Sequence, residues 1–244
     1  MTLLDGKFAA VTGGARGLGA GIARRFAVEG AQGAVLDLAD SLGTVPDGWE
    51  AIDVDVRDEA SVRGAFASID GIDVLVAAAG IVPDWAGLAE TDLESWDEVF
   101  AVNVRGIAAT LKHAVPLLRD GASIVLIGSL NSWRGDPNIA SYVGSKHAVL
   151  GITRAAALDL GERGIRVNAL GPGPVATEAL LARMATRAHD RGVPVETALE
   201  QAAAQTALGR MATVEEVADA ALFLASGLSS GITGQLLAVD AGVL

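Results

Sequence analysis

Short apolar runs that alternate with helical patterns constrain the fold of this chain most strongly. Helical spacing of apolar side chains follows most of the runs, which cover residues 7–12, 33–38, 50–54, 72–79, 122–127, 165–170 and 235–239. A short, nearly continuous apolar run is typical of a strand buried on both faces of a sheet. Strands alternating with helices along a whole chain predict the α/β class with a doubly wound parallel sheet.

The segments between the runs predict the helices and the domain boundaries. Helices are expected at residues 20–30, 58–69, 95–118, 139–162 and 213–225, the last capped by Thr213. Residues 39–49 are too few for a full crossover helix and are expected to hold a turn or two. Since no repeat or linker interrupts the pattern, residues 1–244 are predicted to form one domain.

A glycine-rich turn at residues 12–19, TGGARGLG, joins the first strand to the first helix. Gly13, Gly17 and Gly19 let the backbone turn sharply and approach a ligand closely, and the N-terminus of a helix attracts phosphate. Asp37 lies near the end of the second strand, twenty residues after Gly17, where a carboxylate can accept hydrogen bonds from an adenosine ribose. These features predict a dinucleotide-binding Rossmann domain, and the alternative is a turn and a strand-end acid without a ligand.

Ser129, Tyr142 and Lys146 form the candidate catalytic group. Ser129 follows an apolar run, and Lys146 comes four residues after Tyr142, so the two share one face of a predicted helix. An ammonium beside a phenol favours the phenolate, so we expect a lowered pKa for Tyr142 and proton exchange with a substrate hydroxyl. Tyr-x-x-x-Lys alone is common, and a half-buried tyrosine with a solvated lysine is the alternative.

Composition excludes several classes of function. The formal net charge of −12 argues against binding to nucleic acid or to an anionic membrane. The chain has no cysteine, and its three histidines show no ligand spacing, so no metal site is expected. The N-terminal residues lack a signal-peptide pattern and no apolar run approaches the length of a membrane span, so a cytoplasmic location is expected.

Taken in order, these residues resemble the classical short-chain dehydrogenase/reductase family over nearly the whole chain, from residue 7 to about 242. The resemblance implies a catalytic tetrad of Asn103, Ser129, Tyr142 and Lys146, with Asn103 holding a water behind the lysine. It also implies that Pro172 and Gly173 lie beside the nicotinamide and that Thr177 contacts its carboxamide. The full set of implied cofactor contacts is Gly13, Arg16, Gly17, Leu18, Gly19, Asp37, Asp55, Val56, Ala79, Gly80, Tyr142, Lys146, Pro172, Gly173, Val175 and Thr177. One departure is AAAG at residues 77–80, where the family often has two asparagines.

The resemblance implies an oxidoreductase that interconverts a secondary alcohol and its ketone. Asp37 favours NAD because a carboxylate repels a 2′-phosphate, whereas Arg16 is a dissenting signal for NADP. The segments after the strand ends are rich in apolar residues, so we expect a compact apolar substrate, cyclic or aryl. The expected walls are Ile81, Val82, Trp85, Leu130, Trp133, Val175, Leu180 and Leu181, with Asp84, Arg134 and Asp136 at the rim.

Several alternatives and a lid complete the sequence analysis. An NADPH-dependent 3-oxoacyl thioester reductase and a polyol or sugar dehydrogenase remain open within the family, and a non-enzymatic nucleotide-binding protein remains open outside it. The G-x-S-x-G match at residues 227–231 follows a helix, and no histidine lies beyond His189, which argues against a hydrolase. Residues 178–208 are expected to form a helical lid over the substrate, and the resemblance implies a homotetramer.

Overall fold

A computed structural model describes residues 2–43, 45–190 and 192–243, and its centre is a seven-stranded sheet. All the neighbouring strands pair in parallel, in the order β3-β2-β1-β4-β5-β6-β7. The strands are β1 (Phe8–Thr12), β2 (Gln32–Asp37), β3 (Glu50–Asp53), β4 (Ile72–Ala77), β5 (Leu118–Ile127), β6 (Arg166–Pro172) and β7 (Leu236–Val239). The predicted α/β doubly wound sheet is thereby confirmed.

Helices cover both faces of the sheet. They are α1 (Gly17–Val28), α2 (Glu59–Phe66), α3 (Leu93–Phe100), α4 (Gly106–Ala114), α5 (Ala140–Leu160), α6 (Glu178–Asp190), α7 (Val195–Ala204) and α8 (Val214–Ala225). Thr213 caps α8 as expected. Its side chain accepts from the backbone N–H of Glu216, and the Glu216 carboxylate accepts from the backbone N–H of Thr213. Residues 39–41 form a single 3-10 turn, in keeping with the short connection.

The predicted helix at residues 95–118 differs from the structure. A π-helical segment, Ala101–Arg105, separates α3 from α4, and α4 ends at Ala114. Pro116 follows in a 3-10 turn because proline has no N–H to continue an α-helix. β5 then starts at Leu118, earlier than the predicted 122, and its register against β4 shifts between Ile72 and Val74.

Two apolar cores, one on each face of the sheet, explain the continuous apolar runs. Strand residues such as Leu75 and Ile124 face the core under α2, α4 and α5, whereas Val76 and Val125 face the core under α1 and α8. The buried stretches of the central strands therefore carry apolar side chains on both faces of the sheet. Within the described ranges, no helix is long and apolar enough to cross a membrane.

Candidate active site

The carboxyl ends of the parallel strands bring distant parts of the chain to one edge of the sheet. β1 ends at Thr12, β2 at Asp37, β4 at Ala77, β5 at Ile127 and β6 at Pro172. Most predicted site residues lie at these ends, after β3 or in the loops that follow, whereas Asn103, Tyr142 and Lys146 lie in helical segments. Ligands of open parallel sheets bind at this edge.

The glycine turn between β1 and α1 is closely packed behind and open in front. Gly13 has a φ of 66°, and a Cβ there would lie 2.4 Å from the backbone nitrogen of Ala79. A Cβ on Gly19 would lie 2.1 Å from the carbonyl oxygen of Gly13, so only glycine allows this packing. Gly17, with a φ of 54°, would place a Cβ in open space at the start of α1. This is the shape that admits a phosphate to the helix N-terminus.

Asp37 fixes the glycine turn to the end of β2. Its Oδ2 accepts from the backbone N–H of Ala15 at 3.0 Å, and its Oδ1 accepts from that of Leu38 at 2.9 Å. The carboxylate is therefore held beside the turn, with lone pairs left to accept from a ribose hydroxyl. Arg16 is exposed and makes no side-chain cap to α1, and Leu18 lies half-buried in the first turn of the helix.

Asp55 and Val56 follow β3 and have different surroundings. The Asp55 Oδ2 lies 2.8 Å from Nη2 of Arg57, and this hydrogen-bonded guanidinium lowers the pKa of the Asp55 carboxyl. Val56 is buried, and a Cβ on Gly106 would come within 2.9 Å of its Cγ2. Val56 therefore packs against the start of α4, while the Asp55 carboxylate is paired with Arg57.

Asn103 is fully buried in the π-helical segment and joins two parts of the site. Its Oδ1 accepts from the N–H of Ile81 at 2.8 Å, and its Nδ2 donates to the carbonyl oxygen of Ile81 at 2.9 Å and to Ser145 Oγ at 3.1 Å. Ser145 Oγ donates in turn to the carbonyl oxygen of Tyr142 at 2.8 Å. Asn103 thus ties the segment after β4 to α5.

The alanines that replace the family's asparagines leave a backbone contact between strands. The N–H of Ala78 donates to the carbonyl oxygen of Thr12 at 3.0 Å, which joins the end of β4 to the end of β1. A Cβ on Gly80 would lie 3.4 Å from Asn103 Oδ1 and 3.6 Å from Lys146 Nζ. The bare glycine therefore lies directly beside two members of the predicted tetrad, with Ala79 and the glycine turn behind it.

Lys146 is buried, with 5% of its surface exposed. Its Nζ donates to the carbonyl oxygen of Ile127 at 2.8 Å, which ties α5 to the end of β5. Burial lowers the pKa of Lys146 from 10.5 to about 8 because the charged form loses its hydration. An ammonium has three donors, so two remain beside the one given to Ile127.

Tyr142 differs from the expectation in the sign of its pKa shift. Burial raises the pKa of the phenol above its ordinary value, and hydrogen bonding to Ser129 and the positive charge of Arg183 partly oppose this. The Lys146 Nζ lies 5.5 Å from the centre of the Tyr142 ring, beside its face. The predicted lowering by Lys146 is therefore wrong for the free protein, because loss of hydration at the phenol outweighs the favourable charges.

Ser129 is held by the turn that it begins. Its Oγ accepts from the N–H of Asn131 at 3.1 Å, and its own N–H donates to Ser132 Oγ at 3.1 Å. These reciprocal bonds cap the 3-10 turn at residues 130–132 and fix the serine hydroxyl at the end of β5. Its position beside Tyr142 is thus set by the backbone.

The segment after β6 leads from the sheet into α6. Gly171 lies under Trp133, since a Cβ there would come 2.6 Å from Cζ3 of the indole. Gly173, after Pro172, donates to the carbonyl oxygen of Val239 at 3.1 Å. Thr177 Oγ1 accepts from the N–H of Leu180 at 3.2 Å and so helps to begin α6. Val175 is buried, so it supports the turn and does not line an open wall.

The expected substrate walls surround this edge with unequal exposure. Trp133 is 45% exposed and Val82 is 41% exposed, so both present apolar surface. The other half-buried or exposed wall residues are Ile81, Trp85, Leu130, Leu180 and Leu181. The three expected rim residues, Asp84, Arg134 and Asp136, are all exposed.

Sequence reasoning missed Ser145 and Arg183. Ser145 comes three residues after Tyr142, which lets its hydroxyl bond back to that carbonyl, but a serine in a helix carries no distinctive signal. Arg183 belongs to α6 and donates to the carbonyl oxygens of Val82 and Pro83, a hundred residues earlier. No local pattern predicts so distant a contact.

These residues fit a nicotinamide dinucleotide. The glycine turn forms a cradle that any Cβ on Gly13 would fill, and Asp37 places an acceptor beside it. Gly80 leaves space beside Lys146. In the described ranges, no group of three or more acidic or histidine side chains is arranged to hold a metal ion.

The chain is similar to known proteins over nearly its full length. Residues 13–244 match the family described as enoyl-(acyl carrier protein) reductase. Short-chain dehydrogenase reductase 5 of Arabidopsis thaliana is 39% identical over 254 residues, covering 98% of this chain and 95% of that protein. The cis-4-hydroxycyclohexanecarboxylate dehydrogenase of Sinomonas cyclohexanicum is 38% identical over 249 residues, covering 97% and 96%.

A solved structure adds a match in three dimensions. The ligand-free aldohexose dehydrogenase of Thermoplasma acidophilum has a TM-score of 0.90 at 32% identity, covering 99% of this chain and 95% of that one. The order of the parallel strands, the glycine turn and the matched sequences all indicate the same family. The chain belongs to the classical short-chain dehydrogenase/reductase family and is an NAD(P)-dependent dehydrogenase or reductase acting on alcohols.

Proposed function

We propose that this enzyme oxidises a compact secondary alcohol, cyclic or aryl, to its ketone with NAD. The observation that carries the proposal is the meeting of Ser129, Tyr142 and Lys146 at the end of β5. Lys146 donates a hydrogen bond to the carbonyl oxygen of Ile127, two residues before Ser129. The side chain of Ser129 hydrogen-bonds to the phenol of Tyr142. Asn103 and Ser145 hold the surrounding backbone in place.

Proton transfer belongs to Tyr142 in this proposal. In reduction the phenol, which burial favours, donates its proton to the carbonyl oxygen. In oxidation the phenolate, which the Ser129 hydrogen bond and the positive charge of Arg183 favour, accepts the hydroxyl proton of the alcohol as the C–H bond breaks. The bound nicotinamide supplies the hydride acceptor. Ser129 Oγ holds the substrate oxygen, where negative charge develops in the transition state. The two remaining donors of Lys146 are available to ribose hydroxyls.

Asp37 supports the choice of NAD over NADP. Its carboxylate is anchored beside the glycine turn by Ala15 and Leu38, so it cannot turn away from a 2′-phosphate without losing both bonds. We expect kcat/KM to be higher with NAD than with NADP, and Asp37→Ala to narrow the gap. Arg16→Ala is the matched control, and it lowers activity with NADP selectively if Arg16 holds the phosphate. A wild-type preference for NADP contradicts the assignment.

The exposed indole of Trp133, near Ser129 and Gly171, supports a substrate with a hydrocarbon body. Burying apolar surface against it contributes roughly 25 cal/mol per Å². The relative from Sinomonas is named for cis-4-hydroxycyclohexanecarboxylate, a cyclic alcohol that carries a carboxylate, which supports a cyclic substrate. The name of the aldohexose dehydrogenase keeps a sugar dehydrogenase as one alternative. The matched family description, which names a reductase of acyl groups on a carrier protein, is compatible with the other alternative, the NADPH-dependent 3-oxoacyl thioester reductase expected from the sequence.

The homotetramer, the cytoplasmic location and the lid role of residues 178–208 stay predictions. Exposed apolar residues on the helices, such as Leu158 on α5 and Leu93 at the start of α3, support association with further copies. A monomer by light scattering contradicts the tetramer.

A substrate panel tests the proposed function. Cyclohexanols, aryl carbinols, polyols and 3-hydroxyacyl thioesters are each offered with NAD, and NADH is followed by absorbance, with 3-oxoacyl thioesters and NADPH as the reverse arm. We expect cyclic or aryl alcohols to give the highest kcat/KM. Preference for a polyol or a thioester, with cyclic and aryl alcohols inert, contradicts the proposal.

A further inference from the structure

Arg183 joins α6 to the segment that follows β4, and its positive charge acts on the phenol of Tyr142. Its Nη1 donates to the carbonyl oxygen of Val82 at 2.9 Å and its Nη2 to that of Pro83 at 2.7 Å. These carbonyls follow Ile81, whose backbone is bonded to Asn103. The guanidinium is close enough to Tyr142 for its charge to act on the phenol. The two hydrogen bonds place the guanidinium against Val82 and Pro83, in the segment expected to form a substrate wall.

An aromatic ring and a second arginine complete this side of the site. The guanidinium carbon of Arg183 lies 4.4 Å from the centre of the Trp85 ring, and that of Arg187, one turn later in α6, lies 4.6 Å from it. Both arginines and Trp85 are half-buried. Cation–π contact holds the two positive charges on the same ring.

The charge of Arg183 has no close carboxylate partner in the described ranges. Arg25, Arg57, Arg119, Arg163 and Arg210 each lie within 4.0 Å of an aspartate or glutamate oxygen. The side chain of Arg183 makes no such pair, and Asp84 acts on it only from a greater distance. The half-buried Arg166 also lacks a carboxylate in the part of the chain that the structure describes, but its guanidinium donates to four oxygen atoms of Leu224, Ser226 and Ser229. A guanidinium has five N–H donors, of which two are given to Val82 and Pro83. Donors therefore remain for a ligand.

A half-buried guanidinium that lacks an anion is poorly compensated. Burial lowers the pKa of Arg183 because the charged form loses hydration. Backbone carbonyls and an aromatic face replace that hydration only in part. A carboxylate matches the planar fork of a guanidinium and restores the missing compensation.

We propose that Arg183 selects alcohols that carry a carboxylate, so that the substrate combines a hydrocarbon ring with an anionic group held at α6. This inference rests on the proposed function and adds a specificity-determining residue to the same site. The substrate hydroxyl hydrogen-bonds to Tyr142 and Ser129, and the substrate ring packs against the apolar walls. The substrate carboxylate pairs with the guanidinium of Arg183. The alternative role for Arg183 is a purely structural anchor for α6.

Binding of two probes tests the inference without turnover. Cyclohexanecarboxylate and its neutral isostere cyclohexanecarboxamide are titrated by calorimetry into the enzyme with saturating NAD. A charge-assisted bond predicts at least about tenfold tighter binding of the carboxylate. Arg183→Gln should reduce this ratio to near one. Arg63→Ala, which removes an exposed charge from α2, should leave the ratio unchanged.

A second variant separates recognition from anchoring. Arg187→Ala leaves the two bonds of Arg183 in place and should lower the ratio by a smaller factor than Arg183→Gln. Equal affinity for the two probes in the wild type, no binding of the carboxylate, or a ratio retained in Arg183→Gln overturns the inference. A preference for the carboxylate that Arg183→Gln abolishes upholds the inference, whereas failure to oxidise any of the panel alcohols or a hydroxycyclohexanecarboxylate added to them rejects the proposed function.

Discussion

Burial acts in opposite directions on the two titratable residues of the catalytic group. It raises the pKa of Tyr142 and lowers that of Lys146 to about 8, because loss of hydration disfavours the charged form of each side chain. The sequence predicted that these residues share a helix face. It could not predict the sign of the pKa shift of Tyr142, because exclusion of solvent from the phenol outweighs the opposing charge of Arg183 on a distant helix.

Lys146 should reduce the stability of the protein at neutral pH. Below about pH 8 the folded enzyme holds a buried ammonium, whereas between about pH 8 and 10.5 only the unfolded chain keeps that proton. The unfolding free energy attributable to Lys146 therefore rises with pH across this window. Lys146→Met should be more stable than the wild type at pH 7. The gain in unfolding free energy should be roughly 2–4 kcal/mol from the removed ammonium, reduced by about 1 kcal/mol for the lost hydrogen bond to Ile127.

The measurement is urea unfolding of both proteins between pH 7 and pH 10.5. The advantage of Lys146→Met should shrink as the pH rises. A difference in unfolding free energy that stays constant across the window contradicts the buried ammonium.

At the scale of secondary structure, the π-helical segment between α3 and α4 positions the site. Apolar periodicity predicted one continuous helix there, because a π turn alters the spacing by only one residue. The wider turn carries Asn103, whose amide satisfies both backbone groups of Ile81. Asn103 therefore holds the segment after β4 at Ile81, while Arg183 holds it at Val82 and Pro83.

Asn103→Ala should destabilise the enzyme more than Ser145→Ala does. The first change leaves the N–H and the carbonyl of Ile81 without their partner, at about 1–3 kcal/mol for each unsatisfied group. The second removes one hydroxyl and should cost about 1 kcal/mol. Urea unfolding at pH 7 compares them, and equal losses would show that Asn103 does not hold the segment.

The helices α6 and α7 occupy the residues predicted to form a lid. Thr177 begins α6, and Arg183 joins it to Val82 and Pro83. If the helices close over a ligand, hydrogen exchange in residues 178–204 should slow when NAD and cyclohexanecarboxylate are added. Helix α2 is the internal reference. Unchanged exchange in both regions favours a fixed surface helix.

At the scale of the whole molecule, one property of the fold assembles the site: all seven strands end at the same edge. The sequence predicted this because alternating strands and helices allow few arrangements, and the strand ends could be read from Gly13, Asp37, Gly80 and Ser129. It could not predict that Arg183 would reach Val82, since such a contact depends on how α6 packs. It also misplaced the start of β5.

The central claim is that Tyr142 carries the proton during oxidation of the alcohol. The most direct measurement is NADH formation from the best alcohol of the panel by the wild type and by Tyr142→Phe, with NAD affinity measured alongside. We predict that kcat falls by about 10²–10⁴ in the variant, while NAD binding is retained. Turnover near the wild-type rate in Tyr142→Phe would contradict the account.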